Sequence, residues 1–473
     1  MKRSILFLLL SVFSLSCYSN NWQTVQLSDK QLQNIESFAK TYGFIRYFYP
    51  SRELQNFDWD RFLMHGVDKI LRNENEDMTT LLHRLFSPIC PEIVFSNNEI
   101  AVAENNIQPP FYIQEHHAVG EFATLFFGRD YTPITRIEES ENRLQFYIYR
   151  LQDDLYVKFP LAVTEFRPRT SEFRTFERTL RRANRNTSAE RYIVRIADII
   201  TRWQVIFNFY AYFEEDNLHL TWNEHSKEAI REVALSENRR EYFDVMRRYF
   251  ANIHDSHVRI WPNWIIINRV LAGFLQHHYP EIQIGFAGGI CYIADAGAYS
   301  EKLQRGDIIT MVNNIPISEF VAKRLNNIAF STKAGGLKQL GAGGLLFESA
   351  NRGGTFTLQI EKADGNTEEI TITANRNRPF RNHQDRFIEK YDNGIIYINL
   401  NSRSATYENF SSRIADFQQA KGIIMDVRGR PHYESLAILS HFITEPVSLG
   451  NLLRPIISFP NRKNRRYAPT KTK

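Results

Sequence analysis

The stretch GIIMDVRGRPHYES (residues 422–435) decides how this sequence is read. Its first half is an apolar, β-branched run of strand length. The run ends on Asp426, Arg428 and Gly429, and ESLAILSHFI then reads as a helix. A strand that closes on an acid, a base and a glycine before a loop and a helix is the layout of a sheet edge that hosts chemistry. Just upstream, NGIIYINLNSR (393–403) is another strand, and residues 407–419 have helical periodicity. The three segments make a β-α-β unit, the opening part of an α/β domain.

Moving toward the N-terminus, LQRGDIITMVNNIPISEF (303–320) turns at Gly306-Asp307 into a strand over 308–312. Asn313-Asn314 is a hairpin turn signal. GGTFTLQIEKADGNTEEITITA (353–374) gives two alternating strands joined across Asp364-Gly365. This region resembles a PDZ domain, in which a GD-led apolar strand ending in Val-Asn is a specific sign. Such domains receive a peptide by strand addition. A PDZ-like fold that only spaces or caps its neighbour is the bland alternative.

Two further segments resemble each other. YGFIRYFYPSRELQNFDWD begins at Tyr42 and QVIFNFYAYFEEDNLHLTWN at Gln204. An offset of 163 sets Phe44 on Phe207, Tyr47 on Tyr210, Trp59 on Trp222, Ile70 on Val233 and Phe86 on Tyr249. Apolar residues recur at three and four in both, as amphipathic helices require. Each copy reads as an aromatic helix, a turn and two more helices, with the aromatics as core. Between them TLFFGRD, RLQFYIYRL and LYVKFPLAVTEF are short strands of an antiparallel module. Its end carries Arg167, Arg169, Arg174, Arg178, Arg181, Arg182 and Arg185, but Glu172 and Glu177 interrupt the stripe. A solvated basic face is expected there, not a nucleic-acid site.

Composition agrees. Hydrophobic residues are 43% and aromatics 13%, which argues for packed cores and against disorder. Net charge is only +5, from 58 basic and 53 acidic residues, and does not call for nucleic acid. Met1-Lys2-Arg3, the apolar run 5–15 and small residues to Ser19 form a secretory signal peptide. The apolar run is too short to span a bilayer. Cys17 is a candidate lipidation site, and plain cleavage near Ser19 is the alternative. Cys90 and Cys291 are too few and too distant for a disulfide framework.

The residues that suit chemistry lie in ANIHDSHVRI (251–260), at a helix-to-strand junction. His257 stands two residues after Asp255 and beside Ser256. A histidine there can serve as a general base if a nucleophile lies within reach. A metal reading with His254 and His257 lacks a third ligand, His116 and His117 being another close pair but remote in sequence; neither metal nor cofactor is expected. The glycine clusters GFAGG (285–289) and KAGGLKQLGAGG (333–344) lack the form of a phosphate loop and read as loops.

Taken in order, the leader, FIRYFYP…DWD, DSHVRI, GDII-MVNN, GIIYINL and GIIMDVRGRP resemble the tail-specific (C-terminal processing) serine peptidases. The histidine after the helical module is similar to the tricorn-core branch. The resemblance covers about residues 30–435. It implies an α+β multidomain chain: signal peptide 1–19, helical unit 22–95, β-rich module 96–190, second helical unit 191–262, PDZ-like domain 268–376 and an incomplete α/β peptidase core 385–473. It implies peptide-bond hydrolysis of a peptide or protein substrate; the leader points to the periplasm or cell envelope, with Cys17 as a candidate lipid-anchor site. Ser256 and His257 match active-site positions, the histidine as base. Gly429 belongs to the loop that lines the oxyanion site, where backbone N–H groups meet developing charge.

Two departures follow. The family pattern R-G-N-P-G-G here reads Arg428-Gly429-Arg430-Pro431-His432-Tyr433, with bulky residues in place of paired glycines. The family's nucleophile segment has no match, and Ser435, Ser440 and Ser448 lack its context. Hydrolysis and a non-catalytic peptide-binding or scaffold role therefore both stand as expectations. A tail beyond about Phe459 is expected to be poorly ordered, since an open sheet edge leaves nothing for it to join.

Overall fold

The computed structural model describes residues 22–101, 106–117, 134–138, 143–183, 186–258, 277–381, 386–429, 431, 434–445, 453–462 and 465–469. The leader with Cys17, the TLFFGRD run, Arg185, Arg430, His432, Tyr433 and Ser448 lie outside these residues.

The chain enters α1 (Asp29–Phe48), α2 (Trp59–Arg72) and α3 (Met78–Phe86). Each start is chemically marked. Ser28 and Gln31 form a capping box on α1, and Asp58 and Asp77 cap the next two helices. Phe38, Tyr42, Tyr47, Phe62 and Phe86 are buried, so the aromatics are core. At Gly66 a Cβ would lie 2.1 Å from the Phe38 ring, so that position is closed to any side chain.

Short strands follow: β1 (Val94–Ser96), β2 (Asn106–Ile107), β3 (Phe111–Gln114), β4 (His116–His117), β5 (Ile134–Ile137), β6 (Arg143–Leu144), β7 (Phe146–Gln152), β8 (Leu155–Pro160) and β9 (Ala162–Val163). They pair antiparallel as β1-β8-β7, β5-β3-β9 and β2-β6. Next come α4 (Ser171–Ala183), α5 (Tyr192–Phe209), α6 (Leu218–Leu235) and α7 (Arg239–Ala251). Two arginines just before α4 face acids: Arg167 reaches Glu92 at 2.6 Å, and Arg169 pairs with Glu53. Moved on by 163 residues, Asp29 falls on Tyr192, Trp59 on Trp222 and Met78 on Glu241, so the helices of the first unit land in α5, α6 and α7. One hydrophobic core runs through both helical units and the β7–β8 hairpin between them. Free Cys90 is buried in it, and burial pushes its thiol up.

A second core belongs to the sheet β10 (Gln283–Ala287), β11 (Ile290–Asp295), β12 (Ile308–Val312), β13 (Ile315–Pro316), β14 (Gly354–Glu361) and β15 (Thr367–Ala374), with α8 (Ile317–Leu325) and α9 (Lys333–Leu340) against it. Its order is β10-β11-β12-β14-β15, with β13 paired to β12. Asn313 and Asn314 both take positive φ, 49° and 60°, the geometry of a tight hairpin turn. Gly288 and Gly289, at 56° and 83°, turn β10 into β11 in the same way. The glycine-rich run at 333 is not a loop. Thr332 caps α9 by accepting from Gly335 N at 3.1 Å. A Cβ on Gly336 would sit 2.9 Å from Leu325 and 3.0 Å from Phe330, so close packing sets this helix against α8 despite its poor intrinsic propensity.

The third core is small. β16 (Ile388–Lys390) pairs antiparallel with β17 (Ile395–Asn399), which runs parallel to β18 (Gly422–Asp426). The crossover is two short helices, α10 (Tyr407–Ser411) and α11 (Ile414–Gln418), where the sequence reads as one; α12 (Ser435–Leu439) follows the site turn. The chain then departs from expectation. β19 (Leu453–Ile457) leaves this sheet and pairs with β4, and β20 (Arg466–Pro469) pairs with β19. Arg462 donates to the Phe207 and Tyr210 carbonyls, each at 2.7 Å, and Arg465 to the Asn208 carbonyl at 3.0 Å. The tail is held because it joins the edge at β4, not the open edge at β18.

Candidate functional site

Helix α7 ends at Ala251, and Ile253 is buried, which fixes the segment after it. Asp216 accepts from the His254 backbone N at 3.2 Å and from the Tyr210 hydroxyl at 2.6 Å. A turn then closes through Val258 N to the Asp255 carbonyl at 3.1 Å. Within it, Asp255 Oδ1 accepts from His257 N at 2.8 Å and lies 2.9 Å from Nδ1. A carboxylate can only accept there, so Nδ1 carries a proton, and in the neutral ring Nε2 is the nitrogen left with a lone pair. The His257 side chain is 96% exposed. This is an acid-oriented imidazole facing outward.

Ser256 turns the other way. Its Oγ accepts from Ser331 N at 3.1 Å and lies 3.4 Å from Ser331 Oγ, while Ser256 N donates to Ser331 Oγ at 3.1 Å. The two sequence-predicted residues are thus adjacent but differently employed: the hydroxyl docks the turn onto the start of α9. A methyl group at Gly335 would lie 3.5 Å from Ser256 Oγ.

One turn further along α9, Lys338 Nζ donates to the Arg428 carbonyl, just before Gly429. Residues 335 and 338 share a helix face about 5 Å apart along the axis. The Ser256 turn and the Gly429 turn therefore rest on one short helix. Gly429 is itself confined, since a Cβ would fall 2.6 Å from the Asn401 side chain. Asn401 Nδ2 donates to the Asp426 carbonyl at 3.1 Å, and its Oδ1 is buried without a partner. Asp426 accepts from Arg428 Nε at 3.0 Å and NH2 at 2.7 Å, and from the Tyr397 hydroxyl.

The Arg428 hydrogen bonds hold the Asp426 carboxyl well below its ordinary value of 3.8. A carboxyl depressed in the folded state stabilises the fold above its unfolded value, and that contribution is lost as pH falls through the folded one. Asp426 should therefore support the β18 turn fully above about pH 4 and lose this role only under strong acid. A carboxyl-carbon NMR titration of the native protein and of Arg428→Gln checks it. The variant should titrate closer to 3.8, and an unchanged titration would contradict the assignment.

A cleft of about 400 Å³ adjoins the His254 turn. Val245 and Tyr249 of α7 and Ala229 of α6 face Leu325 and Phe330 across it, with Phe330 next to Ser331. Among the described residues, no group of three His, Cys, Asp or Glu could hold a metal ion, and no helix is long and apolar enough to cross a membrane. Ser331, Lys338, Tyr397 and Asn401 were not legible as site residues. Thr332, a capping residue ahead of the glycine run, was the one local sign that a helix begins there.

No family model matches the sequence, and no curated protein matches it. Solved structures do match. Mature CPAF aligns at 16% identity over 49% of this chain and 54% of its own, with a TM-score of 0.37. Its complex with lactacystin gives 15%, 49%, 55% and 0.37. The photosystem II D1 C-terminal processing protease gives 14%, 48%, 59% and 0.24. The chain spans little more than half the length of each of these structures. At such scores the likeness decides neither fold nor chemistry.

Proposed function

We propose that this chain is a serine-type peptidase of the tail-specific kind, with His257 as its base, acting on a polypeptide in the bacterial cell envelope. The observation that carries this reading is that the turn bearing Asp255 and His257 and the Arg428–Gly429 turn are both tied to the segment 331–338, the first through Ser256 and Ser331 and the second through Lys338. An imidazole held by a carboxylate through Nδ1 is poised to take a hydroxyl proton at Nε2. The Gly429 turn, held from below by Lys338 and from the side by Asn401, is the proposed source of backbone N–H groups for the oxyanion. Ser256 is a positioning residue that anchors the histidine turn. The cleft beside His254 suits a side chain of the bound peptide. The sheet β10–β15, read as PDZ-like, offers β10 as an edge for an extended segment. The leader supports export, with Cys17 as the lipidated residue.

A second reading, a non-catalytic peptide-binding protein, is favoured by one fact. Among the described residues no serine hydroxyl is hydrogen-bonded to His257, and Ser256 is committed to Ser331. A fluorophosphonate probe separates the two. Serine labelling that falls at least about a hundredfold in His257→Ala, the usual worth of a general base, is the expected result for the peptidase. Absence of labelling, or labelling indifferent to His257, would leave only the binding role.

A further inference from the structure

We propose that Arg462 is a positioning residue for the His257 turn, acting through the loop between α5 and α6; this rests on the reading of His257 as the base. Arg462 follows β19 in the C-terminal segment, and its side chain is 10% exposed. The guanidinium is spent on the end of α5 and the loop after it. Nη1 donates to the Phe207 carbonyl and Nη2 to the Tyr210 carbonyl, each at 2.7 Å. Glu214 accepts from Nη2 at 2.9 Å and from Nε as well. The buried ring of Phe213 lies 4.5 Å from the guanidinium carbon. A helix leaves its last carbonyls without partners of its own. Arg462 supplies them from a remote part of the chain, and Arg465 adds the Asn208 carbonyl at 3.0 Å. Arginine suits this place because its planar fork donates in several directions at once, where lysine is a single point charge.

The capped end leads straight to the histidine turn. The loop is compact: Asp216 N donates to the Tyr212 carbonyl and Leu218 N to the Phe213 carbonyl, each at 2.9 Å. Asp216 Oδ2 accepts from the Tyr210 hydroxyl at 2.6 Å and from His254 N at 3.2 Å. Burial and the Asp216 carboxylate hold the Tyr210 hydroxyl well above its ordinary value, so it stays a donor. The contacts are continuous from Arg462 through the Tyr210 carbonyl, the Tyr210 hydroxyl and Asp216 to His254 N. The next residue, Asp255, orients the His257 ring. The turn is thus anchored twice, by Asp216 on the helical body and by Ser331 ahead of α9. Without Arg462 the end of α5 loses its partners, and the first anchor loses its seat. The C-terminal segment would in this way set the position of the imidazole.

Amide hydrogen exchange of the full chain, read at single residues, tests the link. In Arg462→Met, which keeps an apolar stem over Phe213, exchange at His254 N–H should rise about tenfold or more, the worth of one charge-assisted hydrogen bond. Ile200 N–H inside α5 should keep its wild-type rate, whereas a residue that merely stabilised the helical body would speed both. Tyr210→Phe removes only the hydroxyl in the middle of the link and should raise exchange at His254 in the same way, so the test stands even if Arg462→Met fails to fold. Fluorophosphonate labelling should slow about tenfold in Arg462→Met and in Asp216→Ala, and no further in the double variant, because both act through one path. Unchanged exchange at His254 in Arg462→Met or in Tyr210→Phe, equal acceleration at His254 and Ile200, or additive losses of labelling would each overturn the proposal. A wild-type chain that takes no label refutes the peptidase reading instead, and the exchange rates then decide the link by themselves.

Discussion

Replacing Trp222 with alanine should lower the free energy of unfolding by about 3–5 kcal/mol, the usual cost of removing a large buried aromatic. Trp222 is 1% exposed. Its ring stacks on Tyr249 with centroids 4.6 Å apart, and its Nε1 donates to the Trp203 carbonyl at 3.2 Å. Alanine would open a cavity at the crossing of α5, α6 and α7, and the Trp203 carbonyl would lose the indole donor. Urea denaturation followed by circular dichroism measures the loss. Leu220→Ala on the same helix, at a side chain 72% exposed, is the control and should stay within about 0.5 kcal/mol. A Trp222→Ala midpoint equal to that of the control would mean that the second helical unit is not packed as described.

Asp198→Ala should cost a similar amount, about 3–5 kcal/mol, for an electrostatic reason. Asp198 is buried and accepts from Arg202 Nε at 3.0 Å and from the Tyr242 hydroxyl at 2.6 Å. One oxygen of Asp198 and one nitrogen of Arg202 are buried without further partners, so the pair is incompletely satisfied and is not itself a large net gain. Harm comes from splitting it, since alanine leaves the Arg202 guanidinium buried without its counter-ion. Asp198→Leu combined with Arg202→Met should therefore be less destabilising than Asp198→Ala alone. A double variant that is worse than the single one would show that the attraction outweighs desolvation.

Much of this fold was legible because its signals are local. The repeat at 163 residues is carried by aromatics at helical spacing, and Ser28, Asp58 and Asp77 cap the helices where the apolar rhythm starts. The turns at Asn313-Asn314 and Gly365 announced their hairpins through residues that tolerate positive φ. What escaped was decided at long range. Gly335 and Gly336 argue against a helix on propensity, and α9 exists because Thr332 caps it and Leu325 and Phe330 need that close approach. Pro455 argues against a strand, yet β19 sits between β20 and β4, and β4 is far away in sequence. In the site, Asp255 and His257 could be paired by spacing alone. The Ser256–Ser331 and Lys338–Arg428 contacts span 75 and 90 residues, and no local pattern reports them.

The pairing of β19 with β4 sets a timetable for the molecule's assembly. Ile457 lies opposite His116, so the first body stays unfinished until residues 453–469 have been made. The two middle sheets lie between these partners in the chain, so both are synthesised while that rim is still bare. Contacts of such long sequence separation form slowly, which makes the nascent helical body a natural client for whatever holds unfinished chains apart.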